Sequence, residues 1–143
     1  MADVLNVLFK QFLAPVAILV LLYGVGHAEL PEFVVPLHSR ITTIGEDTTS
    51  ANAADSIKKC EAVAQEFKAR DGIPPLYAAY VDAQLDTCIA IVMLTAPYKD
   101  ETGDGCSHYF NYAKKIAAIA ETLAKDKSKD ADFAAEVILQ LEK

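Results

Sequence analysis

The loop over residues 100–105, DETGDG, carries the only string in the sequence that resembles a ligand site. It reads D-x-T-x-D-G, the first half of a calcium-binding EF-hand loop, and it lies between two predicted helices as that motif requires. The second half departs from the motif, because Asn111 occupies the position where a bidentate glutamate completes the site. Asp100, Thr102 and Asp104 are the candidate calcium ligands. The alternative is a polar connection in which Asp104 caps the following helix.

Two other pairs of reactive side chains have spacings that chemistry could use. Cys106 and His108 form C-x-H, but a zinc site needs three or four converging ligands, and residues two apart on a helix point in different directions. Asp82 and Asp86 are four residues apart on one helix face, as a general acid and base would require. Such a pair is more often the solvated edge of a helix. These patterns predict a protein that is not an enzyme and that has no cofactor.

The three cysteines, Cys60, Cys88 and Cys106, are far apart and form no C-x-x-C pair, so thioredoxin-like and zinc-ribbon patterns are absent from the sequence. In two antiparallel helices, residues are level when their midpoint falls at the turn, and the midpoint of positions 60 and 88 falls at Pro74. This predicts a disulfide between Cys60 and Cys88. A Cys60–Cys106 bond and ordinary buried thiols are the alternatives.

Five of the six tyrosines lie between residues 77 and 112. Tyr98, Tyr109 and Tyr112 gather around the connection between two predicted helices. Tyrosine combines a large apolar ring with a polar tip and is enriched at protein interfaces for that reason. These three are the candidate partner-binding residues, with the edge of a helical bundle as the alternative.

The N-terminus is an apolar segment of the kind that enters a membrane. Residues 11–28 carry no charge, Lys10 precedes them and Glu29 follows. This order matches a signal peptide cleaved after Ala28, or a retained single-pass anchor. Both interpretations place the rest of the chain outside the cytoplasm, in the periplasm or secreted. The remaining alternative is a buried core helix over residues 4–26.

The body of the chain is predicted to be all-α. Residues 29–50 contain prolines, a glycine and scattered β-branched residues, and they are interpreted as an extended linker with a strand-like stretch over 41–44. Amphipathic periodicity predicts helices over 51–70, 75–96 and 107–125 and a last helix after residue 130. The sequence therefore predicts a small antiparallel four-helix bundle over 51–143, preceded by the apolar N-terminal helix.

Two of these helices carry specific expectations about the core. The second half of the helix over 75–96 is apolar nearly all round, which predicts the centre of the bundle. The helix over 107–125 is expected to turn one stripe towards the core: Phe110, Ala113, Ile116, Ala117, Ala120 and Leu123.

Composition limits the range of functions. A chain of 143 residues has room for one compact core, and its net charge of −7 repels a polyphosphate backbone, which excludes nucleic acid as an expected partner. With no catalytic motif, we expect a non-catalytic interaction protein of the cell envelope, an accessory subunit of a larger membrane-associated complex. The alternatives are a secreted or periplasmic inhibitor or binder of another protein, and a small-ligand or metal carrier.

Overall fold

The computed structural model describes residues 31–126 and 131–141, and within them the chain forms five α-helices and no β-strand. The predicted signal or anchor segment over residues 1–28 lies outside the described residues. The five helices are α1 (Val34–Glu46), α2 (Ala53–Lys68), α3 (Pro75–Thr95), α4 (Gly105–Asp126) and α5 (Ala131–Leu141). The all-α prediction is confirmed, and the bounds of α2 to α5 lie within a few residues of those expected.

α1 occupies part of the segment that the sequence analysis interpreted as an extended linker with a strand-like stretch, and that interpretation is wrong for residues 34–46. Pro36 falls in the first turn, where backbone N–H groups have no acceptor within the helix, so a proline costs no hydrogen bond there. The buried face of the helix has ordinary helical spacing and consists of Val34, Leu37, Ile41 and Ile44.

The described residues belong to two compact units, one over residues 32–119 and the other containing residues 120–126 and 131–141. In the first unit α3 contacts both α1 and α2. Pro75 is the first residue of α3, where its fixed φ suits a helix start, as expected from the sequence. The hydroxyl of the buried Tyr80 on α3 lies 2.9 Å from Nε2 of His38 on α1.

α3 is central to this unit, in agreement with its nearly uniform apolar composition. Of the helices within the described residues, it is the one with the length and apolar composition to cross a bilayer. More than half of its apolar stretch is buried inside the protein, as in the core helix of a soluble domain.

α4 turns a different face inward from the one expected. Phe110 and Ala117, which were expected in the core, are exposed, whereas Ile116, Ala120 and Leu123 are buried as expected. The buried stripe begins with polar and aromatic residues, His108 and Tyr112. The physical reason is that the buried carboxylate of Asp86 on α3 binds His108, which fixes the rotation of α4.

In the second unit, α5 buries Phe133 and Val137, two residues of the predicted apolar stripe of the last helix. One helical turn links the buried Glu136 and Gln140, where the Gln140 amide donates a hydrogen bond of 2.7 Å to Glu136 Oε1. Of the predicted stripe, Phe133 and Val137 are therefore buried, Ala134 and Ile138 are partly buried, and two polar residues share the buried face.

Candidate functional site

The connection between α3 and α4 is organised by a tight turn over residues 100–103. Asp100 N donates to the Gly103 carbonyl at 3.1 Å, and Gly103 N donates to the Asp100 carbonyl at 3.2 Å. Gly103 has φ of +130°, a conformation that side-chain-bearing residues rarely adopt. The turn therefore depends on the glycine that the D-x-T-x-D-G string supplies.

The candidate calcium ligands are engaged in local hydrogen bonds. Asp100 Oδ1 accepts from the Thr102 amide at 2.8 Å and from its hydroxyl at 2.5 Å, and these two bonds lower the pKa of Asp100 below its ordinary value. Asp104 Oδ1 accepts from the Ser107 amide at 2.9 Å, which caps α4 and lowers the Asp104 pKa. Within the described residues, no three His, Cys, Asp or Glu side chains are grouped to hold a metal ion.

A buried histidine joins α3, this turn and α4 in one hydrogen-bond network. Nδ1 of His108 lies 3.0 Å from Asp86 Oδ1, and Nε2 lies 2.9 Å from the Thr102 hydroxyl oxygen. Lys115 donates to the second carboxylate oxygen of Asp86 at 2.5 Å. We call these residues, together with Asp100, the His108 network.

The number of available hydrogens determines which protonation state of His108 would allow every contact of the network to be a hydrogen bond. Thr102 has one hydroxyl hydrogen, and it is donated to Asp100. The Thr102 oxygen can therefore only accept from His108 Nε2, which must carry a hydrogen. Nδ1 must carry the other, because its partner is a carboxylate oxygen of Asp86. All these contacts are hydrogen bonds at the same time only when the imidazole holds two protons.

The order Asp86–His108–Thr102 resembles the acid, base and nucleophile of a hydrolase triad. In a triad the histidine takes the hydroxyl hydrogen, whereas here the hydroxyl hydrogen is directed at Asp100. The geometry is that of a polar cross-link between α3 and α4.

Beside this network, the end of α3 and the start of α4 expose a cluster of apolar side chains. Leu94 is 57% exposed, Tyr109 is 45% exposed and Phe110 is 61% exposed. Cys106 is also exposed, and it lies one helical turn before Phe110 on the same face of α4. We call this surface the apolar corner, and it consists of Leu94, Tyr98, Cys106, Tyr109 and Phe110.

The helices meet closely at the apolar corner because Gly105 has no side chain. A Cβ added at Gly105 would lie 2.6 Å from Leu94 Cγ and 3.2 Å from the carbonyl oxygen of Ala90. The contact between α3 and the first turn of α4 therefore has no room for a methyl group.

A groove of about 290 Å³ opens at the apolar corner. Its walls include Met93 and Leu94 from α3 and Gly105 and Cys106 from α4. The connecting loop supplies the remaining wall, with Pro97, Tyr98, Lys99 and Asp104. The groove is thus lined mainly by apolar side chains, and Lys99 and Asp104 flank the turn that the His108 network holds.

The structure separates the three candidate partner-binding tyrosines. Tyr98 is half-buried in the groove wall, and Tyr109 is exposed at the apolar corner. Tyr112 is only 4% exposed, and its ring packs 5.8 Å from that of Tyr109, so it supports the surface from below and does not present its own ring to a partner.

Sequence analysis missed Leu94 and Phe110, because apolar residues in amphipathic helices are assigned to the core. It also treated His108 only as a neighbour of Cys106. The positions of the polar residues of α4 could have indicated that Phe110 is exposed. Asp104 caps the helix, and His108 and Lys115 lie on one face, which only a buried acid such as Asp86 would satisfy.

Asp82 and Asp86, the candidate acid–base pair, have separate partners. Asp82 accepts a hydrogen bond of 2.6 Å from Lys68 on α2, at the protein surface. Asp86 is buried in the His108 network. The two carboxylates therefore do not form one site.

Cys60 on α2 and Cys88 on α3 are joined in the structure, with their Cα atoms 5.8 Å apart, within the range that a disulfide spans. The predicted level placement about Pro74 is confirmed. Cys106 is not part of this bond.

No known protein family, no curated protein sequence and no solved structure matches this chain. The function must therefore be inferred from the geometry of the site itself.

Proposed function

We propose that this chain is a non-catalytic interaction protein of the cell envelope, an accessory subunit of a larger membrane-associated complex, and that the apolar corner is its contact surface. The partner in this proposal is a protein that places an aliphatic or aromatic side chain in the groove between α3 and α4. The observation that carries the proposal is the exposure of Leu94 in the groove wall and of Tyr109 and Phe110, which follow the groove residue Cys106 by about one helical turn on α4.

Exposed large apolar side chains cost free energy in water, and scattered single ones are ordinary, but a group of them next to a groove is characteristic of protein contact sites. The apolar corner has the composition of an interface centre, with aromatic residues around a concavity. Lys99 and Lys114 are exposed beside it, and the Lys114 ammonium lies 4.6 Å from the centre of the Phe110 ring. We therefore expect an acidic residue beside the apolar side chain of the partner.

The His108 network supports the non-catalytic part of the proposal. Its one triad-like arrangement directs the Thr102 hydroxyl hydrogen away from the histidine. A surface with apolar side chains and no activated nucleophile is suited to binding. A small-ligand carrier remains the alternative, because the groove is large enough for a small apolar molecule.

Two features support an extracytoplasmic location, with the chain held by its N-terminal apolar segment. A disulfide such as Cys60–Cys88 persists in oxidising compartments. The charge order around residues 11–28 favours a location of the body of the chain beyond the membrane. In this proposal α2 to α5 form the antiparallel bundle that carries the contact surface.

Co-purification tests the proposal. The full-length protein is extracted from envelope membranes in mild detergent, the co-purifying protein is identified, and its affinity for the purified chain is measured. Phe110→Ser and Leu94→Ser should each weaken binding by at least about tenfold, because they remove central apolar contacts. Val35→Ser is the matched control, since Val35 is 67% exposed on α1, outside the apolar corner.

Equal binding by the Phe110→Ser, Leu94→Ser and Val35→Ser variants would refute the apolar corner as the contact surface. A small apolar molecule that co-purifies with the wild type and is lost from Leu94→Ser would replace the proposal with the carrier alternative.

A further inference from the structure

We propose that His108 is a proton-sensitive latch for the groove, so that partner binding at the apolar corner is stronger at pH 5 to 6 than at pH 8. This inference rests on the proposed function, because it concerns the regulation of the same surface. The latch is the set of contacts that joins Asp86 on α3 to the turn over residues 100–103 through His108. Lys99 and Asp104, which flank that turn, are walls of the groove.

Histidine is the side chain that ordinarily changes charge between pH 5 and 8. With two protons on the imidazole, every contact of the His108 network is a hydrogen bond. With one proton fewer, Nδ1 keeps its hydrogen for Asp86, and Nε2 and Asp100 compete for the single hydroxyl hydrogen of Thr102. One of the two contacts that fasten the turn is then lost.

The charges around His108 come from each element that packs against it. Asp86 on α3 and Asp100 in the turn are carboxylates that attract an imidazolium, and Asp104 follows in the loop with its own carboxylate turned to Ser107. Lys115 on α4 opposes a positive imidazole, but its ammonium binds the far oxygen of Asp86 and is half exposed to water. Of these groups, Asp86 is the carboxylate that contacts the imidazole directly, and it accepts a hydrogen bond in the latched form.

The loss of the latch matters for the groove because the turn is short. Its two backbone hydrogen bonds are mutual, between Asp100 and Gly103, so residues on both sides move with it. His108 N also donates to the carbonyl of Asp104 at 3.2 Å, which ties the latch to the first turn of α4. In this proposal the contacts of the structure correspond to the latched form, and raising the pH loosens the loop wall of the groove.

The first test needs no partner. The full-length protein in detergent micelles, labelled with ¹⁵N, is studied by NMR from pH 5 to 8, and the His108 ring signals are assigned with His108→Gln. We expect both ring nitrogens to be protonated at pH 5, and the amide signals of Lys99 and Asp104 to shift along the same titration curve as the ring. The protection of the Thr102 and Gly103 amides from hydrogen exchange, corrected for intrinsic rates, should fall about fivefold towards pH 8. A decrease of this size corresponds to the net contribution of one hydrogen bond.

Thr102→Val is the matched variant, because it keeps the shape of the side chain and removes the hydroxyl. In this variant the signals of Lys99 and Asp104 should no longer follow the His108 titration. The latch is refuted if the ring stays in one neutral tautomer across this range, or if it titrates while residues 99–104 do not respond.

The second test separates the latch from the proposed function. Once the partner of the apolar corner is identified, its affinity should fall on going from pH 5.5 to 8 for the wild type and stay constant for Thr102→Val. A partner that depends on Phe110 but binds equally at both pH values would refute the regulation and leave the contact surface in place. If the NMR test gives the expected result but no partner depends on Phe110 for binding, the proposed function alone is refuted.

Discussion

At the scale of single residues, Asp86 is the side chain on which the site depends most. It is buried, and its two carboxylate oxygens are bound by His108 and Lys115. Asp82, one helical turn earlier, has a single partner, Lys68, and both lie near the surface. Two aspartates on the same helix, one turn apart, therefore differ in energetic importance because their partners on α2 and α4 differ.

This difference predicts the effect of removing each carboxylate. Asp86→Ala should lower the free energy of unfolding by roughly 2 to 4 kcal/mol, because it leaves buried His108 without its acceptor. Asp82→Ala, the matched control, should cost less than about 1 kcal/mol, as exposed ion pairs do. Chemical denaturation of both variants at pH 6 measures the difference. Equal losses for the two variants would contradict the assigned role of Asp86.

The carboxylates of the turn predict how acid acts on the site. The pKa values of Asp100 and Asp104 lie below the ordinary value of 3.8, chiefly because each accepts hydrogen bonds, from Thr102 and Ser107 respectively. Because these pKa values are lower in the folded protein than in the unfolded chain, the ionised carboxylates stabilise the folded protein fully above the ordinary pKa value. This stabilisation is lost as the pH falls below that value.

We therefore expect the capped start of α4 to stay intact down to pH 4 and to loosen below about pH 3.8. Carboxyl ¹³C shifts of Asp100 and Asp104 measured against pH should have midpoints below this value. Asp104→Asn keeps a neutral side chain that can cap the helix. In this variant, the loosening of the start of α4 on acidification should be smaller. Midpoints at or above the ordinary value would contradict the hydrogen bonds assigned to these carboxylates.

At the scale of elements, the sequence predicted α2 to α5, because α2, α4 and α5 have an apolar stripe and α3 begins at Pro75 and is apolar nearly all round. α1 was missed, since Pro36 and Gly45 suggested interruptions. Pro36 is harmless in a first turn, and Gly45 allows a close approach to α3. The face of α4 and the His108 network were not predictable, because they depend on a pairing between residues 86 and 108 that only the packed structure brings about.

Gly45 gives a direct test of α1. A Cβ at this position would lie 2.7 Å from Ile91 Cγ2, and the β-branched Ile91 cannot move that atom without leaving its rotamer. Gly45→Ala should therefore lower the free energy of unfolding by roughly 1 to 2 kcal/mol, even though alanine favours helix.

The double variant Gly45→Ala with Ile91→Leu should recover most of that stability relative to Ile91→Leu alone, because leucine has no Cγ2 branch at Cβ. Thermal unfolding of the four proteins completes the cycle. A neutral or stabilising Gly45→Ala would be expected of an extended linker and would contradict the packing of α1 on α3.

At the scale of the whole molecule, the Cys60–Cys88 disulfide bears both on the stability of the fold and on the compartment in which the protein is found. It closes a loop of 28 residues between α2 and α3 and leaves Cys106 exposed. For a loop of this length, the chain-entropy argument gives a stabilisation of about 3 to 4 kcal/mol. Disulfides form and persist in oxidising surroundings, which is the kind of compartment proposed above.

Protein isolated from the envelope should therefore yield, without reduction, one peptide pair that joins Cys60 to Cys88. Reduction should lower Tm by several degrees, and Cys106→Ser should leave both results unchanged. Alkylation of all three cysteines in the native, unreduced protein would contradict the oxidising compartment, and a Cys60–Cys106 pair would contradict the packing of α2 on α3.

The proposed contact surface at the apolar corner can be tested with a cysteine that the chain already carries there. Cys106 is exposed, lines the groove and is outside the disulfide. A benzophenone attached to Cys106 in isolated envelope membranes and then irradiated should give one adduct whose mass exceeds that of the chain by that of a single partner protein. The matched control carries the same probe at position 35, in a Val35→Cys, Cys106→Ser variant, and should give no such adduct. The same adduct from both positions, an adduct with a second copy of this chain, or none from Cys106 would contradict a specific contact between the apolar corner and a partner protein.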